Sequence, residues 1–213
     1  MTETPTDAEA NSGGGTLFDE PVLVVNQKVK IIELTNEYLV RNAAGATIGA
    51  VAEVDQGNVK KAARLMSSFD QFFTHSYEIR DAHQQPVLKL VRPRKIMKSK
   101  FEVTYPDGSP YGTIVQSNVF GKIRFALEAG GRSVGEIRAE NWRAWDFHIK
   151  NADGDEVARI TKTWEGFTKT LFTTADNYAV QFQPACQGAL RVMAVVAALC
   201  IDTALKQDDR GLN

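Results

Sequence analysis

Ten consecutive apolar residues, Val192 to Ile201, lie near the end of this 213-residue chain. No other feature limits the fold so tightly, because the run belongs either in lipid or in the middle of a domain. A helix that crosses the hydrocarbon region needs about 20 apolar residues, at about 1.5 Å of rise each against a thickness of about 30 Å. This run is half that length, with Arg191 before it and Asp202 after it. Each of those charges would cost about 2.5–3.5 kcal/mol at a bilayer centre. Arg191, Val195, Ala198 and Asp202 share one stripe of a helical wheel. The other faces are apolar: Leu190, Met193, Val196, Leu199 and Ile201 represent them. A helix apolar on most of its circumference is enclosed by its surroundings. Small residues (Ala189, Ala194, Ala197, Ala198, Ala204) keep it thin enough for a confined space such as the lumen of a closed sheet.

The remainder reads as paired strands. Apolar and polar residues alternate in Tyr77–Arg80, Phe101–Tyr105, Phe125–Glu128 and Phe147–Lys150, and similar segments stand at Val22–Val25, Glu37–Arg41 and Thr47–Ala52. Alternation with period two marks half-buried strands. Turn chemistry separates them: Asn42–Gly45, Pro106-Asp107-Gly108, Gly130-Gly131 and Asp153-Gly154. One short helix is expected at Asn58–Met66. Phe147 and Asp153-Gly154 repeat Phe101 and Asp107-Gly108 at an offset of 46 residues, so two similar units suggest one wrapped sheet with internal pseudo-symmetry. Closure of that sheet into an antiparallel barrel removes its exposed edges and leaves a lumen for the apolar helix to fill.

Composition sets the class. Apolar content is 43%, charged content 24% and net charge −1, so any electrostatic partner must be met by a local patch. Two cysteines, Cys186 and Cys200, form no disulfide framework and suit a reducing compartment. The first twenty residues hold five acidic and no basic residues, which excludes a signal-peptide pattern. We expect a disordered acidic tail over residues 1–16, one domain over 17–206 and a frayed end over 207–213.

Five cations stand in Arg92-Pro93-Arg94-Lys95-Ile96-Met97-Lys98-Ser99-Lys100. Arg92, Arg94, Lys95, Lys98 and Lys100 are therefore candidates for anionic phospholipid headgroups, at about 1 kcal/mol per cation near the surface. A solvated connection between strands is the plainer reading of the same residues. Trp142 and Trp145 flank the matching turn of the second unit, an equivalent place on another side of the barrel, where they either cap the core or meet a membrane interface. His75, His83 and His148 have no metal-ligand spacing, and no nucleophile elbow, phosphate loop or dinucleotide fingerprint occurs, so no enzyme activity is expected. Nucleic-acid contact lacks a reading helix or a stacking platform.

Four stretches make this sequence resemble the phospholipid scramblase family, whose fold belongs with the tubby-like barrels. They are Arg92-Pro93-Arg94 after Val87–Val91; Phe101–Val103 leading through Pro106–Gly108 to Gly112–Gln116; Phe147–Lys150 running on to Ile160–Gly166; and Ala175–Phe182 directly before the terminal helix. The resemblance covers about residues 17–205 and implies a closed barrel of about twelve antiparallel strands around a central C-terminal helix. It also implies a calcium-triggered, membrane-associated lipid-mixing activity, placed at the cytoplasmic face of the plasma membrane. The family's calcium segment carries acids where this chain has Thr174, Asp176 and Ala185, so only Asp176 remains as a calcium ligand, and calcium seeks six to eight oxygens. The family's cysteine-rich lipidation run and proline-rich N-terminus are absent. The alternative to lipid movement is a non-enzymatic barrel that binds lipid headgroups or a protein partner, without a transmembrane span.

Overall fold

Twelve strands, β1 to β12, account for the alternating segments in the computed structural model: Val22–Asn26, Glu37–Arg41, Thr47–Val54, His75–Asp81, Pro86–Arg92, Lys100–Thr104, Pro110–Gln116, Arg124–Ala129, Arg132–Asn141, Asp146–Asn151, Glu156–Thr161 and Asn177–Phe182. A 3-10 turn at Gly15–Phe18 precedes them and one helix, α1, follows at Gly188–Asp208. The structure describes residues 15–26, 37–54, 75–93, 100–117, 124–141, 145–162 and 177–208; of Gly15, Thr16, Glu37, His75, Glu140, Asn141 and residues 200–208 it describes the backbone alone. The helix expected at Asn58–Met66 lies outside these residues.

Every strand pairs antiparallel with its sequence neighbours, and β1 pairs with β12, Val24 opposite Ala179, to close the barrel. This is the twelve-stranded architecture expected from the sequence. Alternation decides which side chains enter the lumen. Leu23, Val25, Tyr77, Ile79, Leu88, Leu90, Phe101, Val103, Phe125, Leu127, Phe147, Ile149 and Ile160 are each at most 4% exposed and form one continuous core with the helix.

The two ends of the barrel are built differently. At one, the turn end, short links join the strands: residues 42–46, 82–85, 105–109, 130–131 and 152–155, with 183–187 leading into α1. At the other, the connection end, the links span residues 27–36, 55–74, 93–99, 117–123, 142–145 and 162–176. Four of the turns share one design. Asn42, Asp81, Tyr105 and Asn151 each donate a backbone N–H to the carbonyl four residues on, and each accepts the N–H three residues on. The donor of that second bond sits in the left-handed region every time: Gly45 (φ 84°), Gln84 (φ 62°), Gly108 (φ 90°) and Gly154 (φ 91°). Only Gln84 carries a Cβ there, which costs about 1–2 kcal/mol in that conformation. Gln84→Gly is expected to raise stability by about 0.5–1 kcal/mol, the strain relief less the added chain entropy. A lowered or unchanged urea midpoint would contradict that strain.

In five hairpins the second strand carries a register shift just before an inward-facing position: Gly49, Leu88, Gly112, Gly135 and Ala158. Residue size there sets where the helix lies. A Cβ on Gly112 would meet the Glu128 carbonyl oxygen at 2.1 Å and Met193 Sδ at 3.0 Å; on Gly135 it would meet the Lys150 carbonyl oxygen at 2.4 Å and Leu190 Cδ1 at 2.8 Å. The small residues thus make a seat for α1 on the β7–β9 wall. Across the lumen Leu88 is full-sized, and the 3-10 turn inserts Leu17 (0% exposed) and Phe18 against β3 and β4. The space left by the off-centre helix is filled by the chain's own N-terminal segment.

From Val192 to Leu199 every helix side chain is at most 4% exposed. Val195 and Ala198, expected on a stripe with the flanking charges, are fully buried too, so the enclosure is complete around the circumference. At its 21 residues α1 is about 31 Å long. The six residues of β12 rise about 20 Å along the strand, and less along the tilted barrel axis. The backbone of α1 therefore runs past the rim at the connection end. The sequence reading encloses the helix as far as Ile201; the structure encloses it as far as Leu199, and the side chain of Ile201 lies outside the described residues.

Candidate functional site

Arg191 enters the barrel with the helix. Its Nε donates to the Phe18 carbonyl at 2.8 Å, Nη2 donates to the Glu20 carbonyl, and the guanidinium lies 3.4 Å from the centre of the Phe182 ring. Burial lowers the pKa of this guanidinium, opposed by the neighbouring Cys186 and acidic groups. A charge accepting this desolvation needs several hydrogen bonds in return. Here they lock the N-terminal segment to the first turn of α1. Cys186, 4% exposed beside it, has its thiol pushed up to about 11 by burial, against the opposing pull of Arg191. A buried thiol held protonated is a packing residue rather than a nucleophile.

The candidate headgroup residues are divided by the structure. Arg92 ends β5 in phase with Leu88 and Leu90 and is 3% exposed. The sequence reading puts it in a solvated loop; strand alternation turns it into the barrel wall instead. Lys100 is exposed and pairs with Glu102 at 3.0 Å, both side chains nearly half accessible. Such a pair contributes little to stability and leaves the ammonium available. Arg94, Lys95 and Lys98 lie outside the described residues; β5 ends and β6 begins at the connection end.

Trp145 lies at the same end. Trp145 occupies the left-handed region (φ 56°) before β10 and stacks on Tyr178 with ring centroids 5.1 Å apart. Phe147 meets it edge-on at 6.2 Å, and Lys162 Nζ sits 4.6 Å over its ring. Tyr178 Oη in turn donates to the Ala198 carbonyl of the helix at 3.0 Å. Trp145 thus caps the core while its outer face carries a cation. Trp142 lies outside the described residues.

His148 stands on the outer face of β10, its Nδ1 against the Glu156 carboxylate and Nε2 3.5 Å from Asp146. Arg159 grips Asp146 through Nε at 3.0 Å and Nη2 at 3.1 Å. The hydrogen bond to Asp146 raises the Arg159 pKa. These groups form a cross-strand ionic ladder. Among the described residues no three His, Cys, Asp or Glu side chains are placed to hold a metal ion.

Calcium does not fit the stretch that the resemblance assigns to it. Asp176 itself lies outside the described residues. Asn177–Phe182 is a strand with β1 on one side and β11 on the other. Asn177 is consequently at the connection end and Ala185 beyond Phe182 at the turn end, about 17 Å or more apart. Ligands of one ion lie within about 2.6 Å of it, so the two ends of this segment cannot share it.

The fold defines a class: a twelve-stranded antiparallel barrel closed around its own C-terminal helix. The chain belongs to the scramblase family, whose match extends over residues 2–205. It is 26% identical to a phospholipid scramblase family protein of Schizosaccharomyces pombe over 81% of this chain and 49% of that one. It is 24% identical to phospholipid scramblase 1 of Rattus norvegicus over 84% of this chain and 58% of the relative. Human phospholipid scramblase 2 is 23% identical over 85% and 66%. The chain therefore spans about half the length of the first two of these relatives. No solved structure matches it. Among the described residues no helix is long and apolar enough to cross a membrane.

Proposed function

We propose that this barrel binds phospholipid headgroups at a membrane surface as a peripheral protein, and that any lipid movement it promotes takes place outside its wall. Family membership supports phospholipid as the target. The observation that carries the second half is the filled lumen: Val192 to Leu199 are at most 4% exposed, and the wall opposite is closed by Leu17 and Phe18. A headgroup crossing hydrocarbon needs a polar path, because each unpaired polar group there costs several kcal/mol. The interior of this barrel supplies none. The basic segment from Arg92 to Lys100 is a headgroup contact in this reading, through Arg94, Lys95, Lys98 and Lys100, while Arg92 is buried in the barrel wall. Cytoplasmic attachment to the inner face of the plasma membrane suits such a surface, since that leaflet is anionic.

Fractionation tests the attachment. Membrane-bound protein is expected in the supernatant after a high-salt wash, because exposed charges are screened within about 3 Å at 1 M salt. Protein that stays in the pellet through both salt and carbonate would overturn the peripheral reading. In the same preparations calcium and a chelator are expected to leave binding unchanged.

A further inference from the structure

We infer that the turn-end mouth beside Arg191 is a latent binding site for an anionic single-chain amphiphile, held shut by Leu17 and Phe18 of the chain's own N-terminal segment. The inference goes beyond the membrane-surface reading and does not rest on it. A guanidinium only 8% exposed is a costly group to place in a barrel. Two main-chain carbonyls meet it: Nε donates to Phe18 at 2.8 Å and Nη2 donates to Glu20. Nε and Nη2 form one edge of the guanidinium fork, the edge that takes both oxygens of a carboxylate or a phosphate. The carbonyls of Phe18 and Glu20 thus fill with neutral oxygens the places that an anionic head fills with charged ones. Charge-assisted bonds are about twice as strong as neutral ones, so an anion holds Arg191 more firmly than these carbonyls do. The Asp19 and Glu20 carboxylates, which act on Arg191 from the same segment, withdraw with it. The Phe182 ring, 3.4 Å from the guanidinium, belongs to β12 and keeps Arg191 in position when the segment leaves.

The apolar half of such a ligand is copied as well. Leu17 and Phe18 are buried and join the core formed with the helix. The 3-10 turn that carries them packs on β3, β4 and α1. Leu17 Cδ1 lies 3.2 Å from where a Cβ on Gly49 would stand, so it occupies the space that a side chain there would enter. The two side chains hold about eleven carbons, and an acyl chain of about ten fills the same closely packed volume. Strand pairing fixes the polypeptide only from Pro21 onward: the Pro21 carbonyl accepts the Phe182 N–H at 2.9 Å, and Val22 opens the β1–β12 ladder. Withdrawal of the four-residue turn Gly15–Phe18 therefore breaks no strand pair.

The probes are decanoate, decyl phosphate and decanol, each added to the full chain below its micelle concentration. Calorimetry is expected to show saturable binding of both anions, about tenfold or more tighter than that of decanol. Either anion supports the inference, and the tighter one names the source, a fatty acid or a phosphate ester. Backbone amide exchange over residues 15–20 is expected to quicken on binding, as the segment comes out, while β3 and β4 stay protected. Leu17→Ala with Phe18→Ala weakens the stopper and should tighten decanoate binding about tenfold. Three results would each overturn the inference: decanol that binds as well as decanoate, binding that leaves exchange over 15–20 unchanged or slower, and no saturable binding to either the parent or the double variant. The comparison of probes on the parent chain needs no substitution, so it decides the matter even where the double variant fails to fold, which circular dichroism checks. Membrane attachment is read separately by the salt wash, and its outcome stands whichever way these fall.

Discussion

Val196→Asp abolishes the cooperative thermal transition of this domain. Val196 is fully buried in the middle of α1, within the continuous hydrophobic core of the barrel. An ionised carboxylate there is an uncompensated buried charge, a loss of about 3–5 kcal/mol or more even with relaxation, to which the lost valine packing adds. Domains of this size carry about 5–15 kcal/mol in total, so the native state is left marginal or absent. Met193→Ala, which only empties space at an equally buried position, should cost about 2–5 kcal/mol and preserve a cooperative melt. The contrast is the test. A Val196→Asp protein that melts within a few degrees of the parent would mean that the helix leaves the lumen, and the filled barrel would be the wrong description.

The second large effect comes from the seat of the helix. Gly135→Ala should lower stability by about 3 kcal/mol or more, because the new Cβ falls 2.4 Å from a backbone carbonyl that is fixed in the β9–β10 ladder. Of its two obstacles only one is a side chain. Adding Leu190→Ala relieves the contact at 2.8 Å but leaves the carbonyl of Lys150 in place, so the double variant should recover little. Urea midpoints of the parent, the two single variants and the double variant decide it. Full recovery in the double variant would show that the helix, and not the strand pairing, demands glycine at this position.

Much of this architecture is legible in the residues themselves. The apolar run from Val192 is too short for a bilayer and too apolar for a surface, and the strands show their two-residue period at Tyr77, Phe101, Phe125 and Phe147. The Asp-Gly turns even foretell their shared geometry, since Gly108 and Gly154 adopt φ of 90° and 91°. What escapes a linear reading depends on distance across the lumen. Nothing local distinguishes Gly112 and Gly135, which the helix approaches, from any glycine in a strand. Arg191 flanks an apolar run and reads as its polar boundary; only the carbonyls of Phe18 and Glu20, more than 170 residues away in sequence, make its burial tolerable. Arg92 looks like the first member of a basic loop because composition does not show on which residue a strand ends. The candidate basic residues were legible as a segment, but that Lys100 and Trp145 stand at one end follows only from counting strands around the closed sheet.

Closure between β1 and β12 also shapes how the polypeptide is made. Residues 22–26 are synthesised early, yet their partner at 177–182 emerges some 150 residues later. Until then the nascent sheet presents a bare Leu-Val-Val edge, open to pairing with any other extended chain. Contacts so remote in sequence also make folding slow. The order of the strands thus leaves this edge to be covered last during translation.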